Sequence, residues 1–169
     1  MVTQQTAPGM NRWTRTNLLL AVLVAALLAA HLWPAGSGEY PPLTGFAEAE
    51  ITAIRVERSD RLRIALQRDN EVWQLTHPRQ AAAQTQRVRQ LLAIAAAPVQ
   101  QAFAAPTDLD RYGLATPKAV LQLNGLRLLF GDRDLSQNSR YVLVDQQVRV
   151  IDDVYFNLLS LPASHFTGG

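Results

Sequence analysis

Apolar and polar residues alternate along the first part of a domain that begins near residue 50. The alternation runs from 54 to 57 and from 62 to 67, and a shorter apolar segment follows at 72–75. A period of two places one face of a strand on a core and the other in water, so three strands are expected. Turn-forming pairs at 59–60 and 69–70 separate them, which is typical of an antiparallel meander.

A helical period replaces the alternation after Pro78. Apolar residues recur three and four positions apart, at Val88, Leu91, Leu92 and Ala95. This spacing places them on one face and predicts an amphipathic helix. Thr85 is a suitable N-cap for this helix, and Pro98 marks its end because proline cannot continue a helix.

The second half of the domain returns to strands. The stretch from 100 to 117 is expected to be irregular, apart from a helical turn at 108–113 that Gly113 closes in a left-handed conformation. Asn124-Gly125 lies between two apolar segments and predicts a type I′ hairpin. A second hairpin is expected over 140–151, after which Asp152 caps a short helix from 154 to 159.

These elements together predict an α+β domain of antiparallel β meanders with helices packed on one face of the sheet. Strands followed by a helix occur twice, as a loose βββα and ββββα pseudo-repeat. The 169-residue chain has room for one such domain with a single core.

An apolar segment near the amino end is bracketed by two tryptophans. No polar side chain occurs from 18 to 30, and twenty helical residues span about 30 Å, the thickness of the hydrocarbon core of a bilayer. Indole rings favour the headgroup level, so the spacing predicts a transmembrane helix over 13–33. The residues expected to hold it in lipid are Trp13, Leu18, Leu23, Leu28 and Trp33.

Charge orients this predicted span. Arg12 and Arg15 lie beside its amino end, and the first acidic residue of the chain is Glu39. By the positive-inside rule the amino-terminal tail stays in the cytoplasm and the rest of the chain is exported. The alternative is a cleaved signal peptide, for which Ala35-Gly36-Ser37 offers a small-residue cleavage site.

The predicted organisation therefore has four parts. Residues 1–12 form a cytoplasmic tail, 13–33 a transmembrane helix, 34–45 a Pro/Gly-rich linker and 46–169 a periplasmic domain. The localisation that follows is the inner (cytoplasmic) membrane, crossed once. Because the chain has no cysteine, an exported domain could form neither a disulfide nor a lipoprotein linkage and would depend on its core alone.

The charge balance bears on the kind of partner. The formal net charge is +2, and Arg12 and Arg15 account for it, so the part of the chain beyond the span is formally neutral. Neutrality removes the electrostatic attraction that dominates binding to nucleic acids. No nucleic-acid partner is expected.

One pair of carboxylates is a candidate for catalysis or metal binding. Asp108 and Asp110 lie two residues apart, but no histidine or third acidic residue is close to them in the sequence. Asp108 is well placed to cap the helical turn at 108–113, and capping is the favoured interpretation. The three histidines are isolated from one another and do not form a ligand set.

The polar loop 131–140 is the second candidate. Asp132 and Asp134 have the spacing of a calcium loop, but the glycine and the closing glutamate of an EF-hand are absent. An ordinary strand-joining loop is favoured, with a partner contact as the alternative. Tyr112, Trp73 and Phe130 could line a ligand site, although packing under the sheet is the favoured explanation for them. No cofactor, metal or small-molecule ligand is expected.

The segment from Asp108 to Pro117, which reads Asp-Leu-Asp-Arg-Tyr-Gly-Leu-Ala-Thr-Pro, resembles the "dl..yGL..P" signature of the DUF4340 family. Weaker similarities occur in the family's order at 70–78, 128–131 and 140–141, so that the resemblance covers roughly 51–166. The motif residues, structural or partner-contacting, are Trp73, Asp108, Tyr112, Gly113, Leu114, Pro117, Gly131 and Tyr141.

The resemblance implies a protein held by one amino-terminal span, without assigned catalytic residues, that accompanies ABC-type transporters related to gliding-motility components. The implied partners are the bilayer and an envelope membrane protein such as an ABC transporter subunit. The resulting hypothesis is a membrane-anchored periplasmic accessory protein that is not an enzyme. The alternatives are a scaffold of an envelope assembly or secretion system, and a periplasmic hydrolase that would depend on Asp108, Asp110 or Asp132.

Overall fold

The computed structural model describes residues 40–135 and 137–167 and the two isolated positions Trp13 and Asn17. Residues 40–169 form one compact unit. Within the described part of the chain, no helix has both the length and the apolar character needed to cross a membrane. The predicted tail 1–12 and, apart from Trp13 and Asn17, the predicted span 13–33 lie outside the described residues.

The compact unit is built on one antiparallel sheet, and its topology fits the predicted α+β class. Its strand order is β4-β3-β2-β1-β6-β7-β8-β9-β5. The strands are β1 (Ala53–Arg58), β2 (Arg61–Asp69), β3 (Val72–His77), β4 (Ala81–Ala82), β5 (Gln101–Ala104), β6 (Ala119–Leu123), β7 (Leu126–Asp134), β8 (Ser139–Val144) and β9 (Gln147–Asp152). Two meanders, β1–β4 and β6–β9, meet where β1 pairs with β6.

Several neighbouring strands are joined by two-residue turns in which both residues have a positive φ, as type I′ geometry requires. In the described chain these turns are Ser59-Asp60, Asn70-Glu71, Asn124-Gly125 and Asp145-Gln146. The predicted hairpin at Asn124-Gly125 is confirmed. The second turn lies one residue beyond the predicted 69–70, because Asp69 still pairs with Val72 at the end of the ladder.

Asn124 also connects the hairpin to the start of β1. Its side-chain oxygen accepts hydrogen bonds from the backbone N–H groups of Thr52 and Ala53, at 2.9 and 3.1 Å. Its amide nitrogen donates to the carbonyl of Glu50 at 2.7 Å. One turn side chain therefore satisfies three backbone groups of a segment more than 70 residues earlier in the chain.

The helices are short. They are α1 (Thr85–Leu92), α2 (Val154–Leu158) and α3 (Ala163–Thr167), with 3₁₀ helices at Glu48–Glu50 and Asp110–Tyr112. In α1 the predicted apolar face is confirmed for Val88, Leu91 and Leu92, which are buried. The helix ends at Leu92, so Ala95 lies beyond it and the predicted end at Pro98 is wrong. The predicted N-cap is wrong: Gln84 occupies that position, and Thr85 is the first helical residue. The predicted capping by Asp152 is confirmed only as a contact: its carboxylate accepts the Val154 N–H at 2.8 Å, whereas the N-cap position of α2 is Asp153.

One apolar core holds the helices against the sheet. Trp73 and Phe130 come from the strands, and Phe166 comes from α3. Val88, Leu91 and Leu92 of α1 belong to the same cluster, and Phe156 of α2 packs against it. All three helices therefore stabilise the sheet by covering apolar surface that would otherwise meet water.

The prediction of an irregular stretch from 100 to 117 is wrong in its first part. Gln101–Ala104 forms β5, which pairs antiparallel with β9 and closes one edge of the sheet. Only Phe103 in this strand is large and apolar, so the alternation that identifies strands is too weak to read. Such short strands are a common way to finish a sheet edge.

The end of the predicted linker is part of the folded unit. Leu43 is completely buried in the core, and its N–H donates to the carbonyl of Ala97 at 2.9 Å. The backbone N–H of Thr44 bonds to the carbonyl of Ala95 at 2.9 Å, and the Thr44 hydroxyl donates to the same oxygen at 3.1 Å. The chain thus joins its core before residue 46.

Candidate functional site

Most of the predicted motif residues lie around the second 3₁₀ helix, Asp110–Tyr112. Gly113 ends this helix with φ of 64°, and its N–H donates to the carbonyl of Asp110 at 2.9 Å. A left-handed residue at this point costs glycine no steric strain. The predicted helical turn closed by Gly113 is therefore confirmed. The N-cap is Leu109 without a side-chain cap, so the predicted capping by Asp108 is wrong.

Aromatic rings attach this turn to the sheet. The rings of Tyr112 and Tyr141 meet edge to face with centroids 4.9 Å apart, and Phe103 lies 5.6 Å from Tyr112. Tyr141 precedes Val142, whose side chain belongs to the main core, and side chains alternate along a strand. The motif turn therefore covers the face of the sheet opposite the helices.

Gly131 is the point of closest approach between the turn and the sheet. A Cβ atom on this residue would lie 2.2 Å from the Tyr112 carbonyl oxygen and 2.9 Å from Leu114 Cδ2. Leu114 itself is only 1 % exposed. One packing unit thus joins Tyr112 and Leu114 to Gly131, which comes from a separate part of the sequence signature.

Tyr141 has an unusual electrostatic environment within this unit. Its hydroxyl donates to Asp134 Oδ2 at 3.3 Å. Burial raises the pKa of the Tyr141 phenol, and the negative charge of Asp134 and the hydrogen bond to it raise this pKa further. The phenol therefore stays protonated at neutral pH and donates the hydrogen bond to Asp134.

The remaining motif residues do not join this unit. Trp73 is buried in the main core, and Asp108 is exposed. Pro117 follows the turn, just before β6. Phe130 packs in the core near Phe156, with ring centroids 6.2 Å apart. The predicted aromatic set of Tyr112, Trp73 and Phe130 is therefore divided between the two faces of the sheet.

The candidate catalytic and metal groups are also dispersed. Asp108 and Asp110 are both exposed, and within the described part of the chain no group of three or more His, Cys, Asp or Glu residues could hold a metal ion. His165 bonds to Gln90 across 2.8 Å. Of the predicted anchor residues, only Trp13 is described, and its side chain is exposed.

The polar loop 131–140 is more ordered than expected. Strand β7 continues through Asp134, with a register shift between Phe130 and Arg133, so only the tip at 135–138 joins the strands. Asp153, just before α2, binds both sides of this hairpin: its carboxylate lies 2.5 Å from Arg140 Nε and 3.1 Å from Arg133 Nε. The loop is therefore a β7–β8 hairpin with a fixed base.

Arg140 is the central residue of that base; the family similarity at 140–141 pointed to this position but not to the contacts that it makes. Its guanidinium donates to the carbonyl of Gly131 at 2.6 Å and lies 3.6 Å from the centroid of the Phe156 ring. The side chain is only 9 % exposed. A guanidinium can serve a carboxylate, a carbonyl and an aromatic face at once because it is planar and carries five N–H donors.

The family model of a domain of unknown function, DUF4340, matches residues 73–167, which is more than half of the 169-residue chain. Every motif residue named above lies within the matched range. The match begins at Trp73, so β1 and β2 precede it and the similarity starts later than the expected residue 51. No curated protein and no solved structure matches the chain.

Proposed function

Since this chain belongs to the DUF4340 family, we propose that it is a membrane-anchored accessory protein that acts by protein–protein contact in the cell envelope and catalyses no reaction. An amino-terminal helix over 13–33 holds it in the inner membrane with its tail in the cytoplasm. The compact unit then faces the periplasm. The apolar segment between the two tryptophans and the arginines beside it support this orientation.

The β7–β8 hairpin carries the proposed contact. Its tip presents Leu135, whose side chain is 80 % exposed, while the base is fixed by Asp153. An apolar side chain on a preorganised hairpin loses little conformational entropy when a partner covers it. This combination of an exposed leucine and a rigid base is the observation that supports a contact role for the hairpin.

The proposed partner is a membrane protein of the same envelope, with an ABC-type transporter subunit as the specific candidate. The family resemblance supports that candidate. A partner of this kind would offer an apolar pocket for Leu135 and would lie within reach of a domain tethered to the same bilayer.

The contact is tested by placing a photo-crosslinking residue at position 135 of the full chain in its own host. After irradiation, the membranes are dissolved in mild detergent and the adducts are identified by mass spectrometry. We expect one dominant adduct with a membrane protein. Val72 is the matched control position, since it is also apolar and exposed (53 %) but lies on the β2–β3 hairpin. Absence of an adduct at 135, or the same adduct at 72, would refute the contact.

The anchor is tested separately. Alkaline phosphatase fused after Gly169 folds to its active form only outside the cytoplasm, so we expect an active fusion. The protein should also stay in the membrane fraction during alkaline carbonate extraction. A soluble mature chain that begins near Gly38, or an inactive fusion, would contradict the proposed anchor and orientation.

A further inference from the structure

A cleft of about 780 Å³ opens at one end of the sheet, and none of the described residues of the motif turn or the β7–β8 hairpin lines it. Its walls are the turn between β1 and β2, the end of β3 and the connection from α2 to α3. This volume lies within the range of about 300–1,000 Å³ that is usual for small-molecule sites. The basic residues that line it are Arg58, Arg61, Arg63 and His77.

The strand register explains why basic residues meet there. On β1 the side chains of Ile54 and Val56 enter the core, and Arg58 continues their row at the end of the strand. His77 is the last residue of β3 and also lines the cleft. The face that is apolar under the helices therefore becomes basic at this end of the sheet.

Two irregularities, one in β2 and one in β3, contribute to this arrangement. The pairing of β1 with β2 shifts between Val56 and Glu57, which brings Arg61 directly opposite Arg58. The pairing with β3 shifts between Ala65 and Leu66, which brings His77 opposite Ala65. Such bulges redirect side chains and occur often beside functional sites.

The charges of the cleft are unbalanced. None of the described residues that line it is acidic. Arg61 and Arg63 are exposed and form no ion pair with any other described residue. Three guanidinium groups without a counter-charge create a positive potential that a concave, partly apolar wall strengthens.

Arg58 is held in place on the inner wall. Its guanidinium donates to the Ser160 hydroxyl at 2.6 Å and lies 5.4 Å from the centroid of the Phe156 ring. The contacts with Ser160 and the Phe156 ring leave most of the N–H donors of Arg58 available to a ligand. One arginine is thus preorganised, and the two exposed arginines can close on a bound anion.

Apart from Ser59 and Ser160, the rest of the wall is apolar. The apolar side chains that line the cleft include Leu62, Leu159, Leu161, Ile64 and Pro162. A free inorganic anion would leave this surface exposed to water, whereas a ligand with a hydrocarbon part would cover it. A guanidinium matches phosphate oxygens with paired N–H donors, and several together favour a group with two negative charges.

We propose that this cleft binds a phosphate monoester that carries an apolar group, with the phosphate at the arginines and the hydrocarbon against the leucine wall. The headgroup of a lipid such as phosphatidate and a soluble alkyl phosphate share this chemistry. The three arginines lie before the segment that the family model matches, whereas His77, Pro78 and the lining residues from Leu159 to Ala163 lie within it.

Binding is measured by isothermal titration calorimetry on the full chain in a neutral detergent. The probes are dihexanoyl phosphatidate, hexyl phosphate, inorganic phosphate and dihexanoyl phosphatidylcholine. We expect the first two to bind at least ten times more tightly than the last two. Preference for phosphatidate over hexyl phosphate would identify a lipid source, and the reverse a soluble one. Binding of neither, or equal binding of phosphatidylcholine, would overturn the proposal.

A pair of double variants separates the cleft from general charge effects. Arg61→Gln with Arg63→Gln should weaken binding of the preferred probe at least tenfold. Arg55→Gln with Arg127→Gln removes the same charge from exposed strand positions outside the cleft and should leave affinity within twofold of wild type. Both should keep the wild-type melting temperature, because neither pair forms an ion pair within the described part of the chain. Equal affinities for the two double variants would overturn the assignment to this cleft.

Discussion

Replacing Gly131 by alanine tests the packing unit that the family signature encodes. The new methyl carbon would lie 2.2 Å from the carbonyl oxygen of Tyr112 and between 2.9 and 3.0 Å from two carbons of Leu114. The leucine side chain could rotate away. The carbonyl belongs to the backbone, however, so the turn at 110–113 must move away from the sheet.

The expected cost follows from that movement. Overpacking that forces a backbone shift costs about 1–3 kcal/mol. Separation of the Tyr112 and Tyr141 rings would remove an aromatic contact of roughly 0.5–1.5 kcal/mol. We therefore expect a loss of about 3 kcal/mol in the free energy of unfolding. For a unit of this size, about 4 °C per kcal/mol converts this loss to a melting temperature lower by roughly 12 °C.

The assay is thermal unfolding of the full chain in neutral detergent, followed by circular dichroism and calorimetry. Gly45→Ala is the matched control, because no atom lies within 4 Å of the position that its new methyl carbon would take and its φ is ordinary. That control should be neutral or should stabilise by up to about 1 kcal/mol. If Gly131→Ala melts within about 2 °C of the control, the turn does not depend on this close approach and the reasoning fails.

Further outcomes concern the ion pair, the tyrosine and the turn amide. Asp153→Asn should lower the unfolding free energy in urea by about 2–4 kcal/mol, because it leaves the buried Arg140 without its counter-charge. Burial raises the pKa of Tyr141, and Asp134 raises it further, so the folded state should lose stability as the pH rises from the ordinary pKa of an unfolded tyrosine to the elevated pKa of the folded one. Asp134→Asn should shift the phenolate absorbance transition to lower pH. An unmoved transition would contradict this. Asn124→Ala should lower the urea midpoint by an amount equivalent to about 2 kcal/mol, since it loses three hydrogen bonds to backbone groups.

Local patterns predict local structure well in this protein. Alternation and short apolar segments identified β1–β3 and β6–β9 but not the two-residue β4, and the Asn124-Gly125 pair identified its hairpin. These signals are local because side-chain period and turn chemistry depend on a few neighbouring residues. The left-handed Gly113 was predicted for the same reason. The one-residue error at the N-cap of α1 arises because Gln84 takes that position without a side-chain cap, so the usual preference for a capping hydroxyl did not decide it.

Contacts between segments far apart in the chain decided the features that local patterns did not predict. Strand β5 becomes a strand only because β9 offers it a free edge, and its own sequence is too weakly patterned to require one. The partner that makes Arg140 important lies 13 residues away, and the carbonyl that Gly131 accommodates belongs to a turn that precedes it by almost 20 residues. No local pattern encodes such contacts.

By itself the sequence determined the secondary structure of most of the compact unit, its antiparallel class and its family, because these depend on periodicity, turn residues and a short signature. Only the tertiary structure decided which residues share a surface. The shifted pairings of β2 turn its arginines toward a cleft beside α2 and α3, and the packing of Tyr112 on Gly131 places the signature on the opposite face. The physical reason is that both arrangements depend on strand register and close packing between segments far apart in the chain.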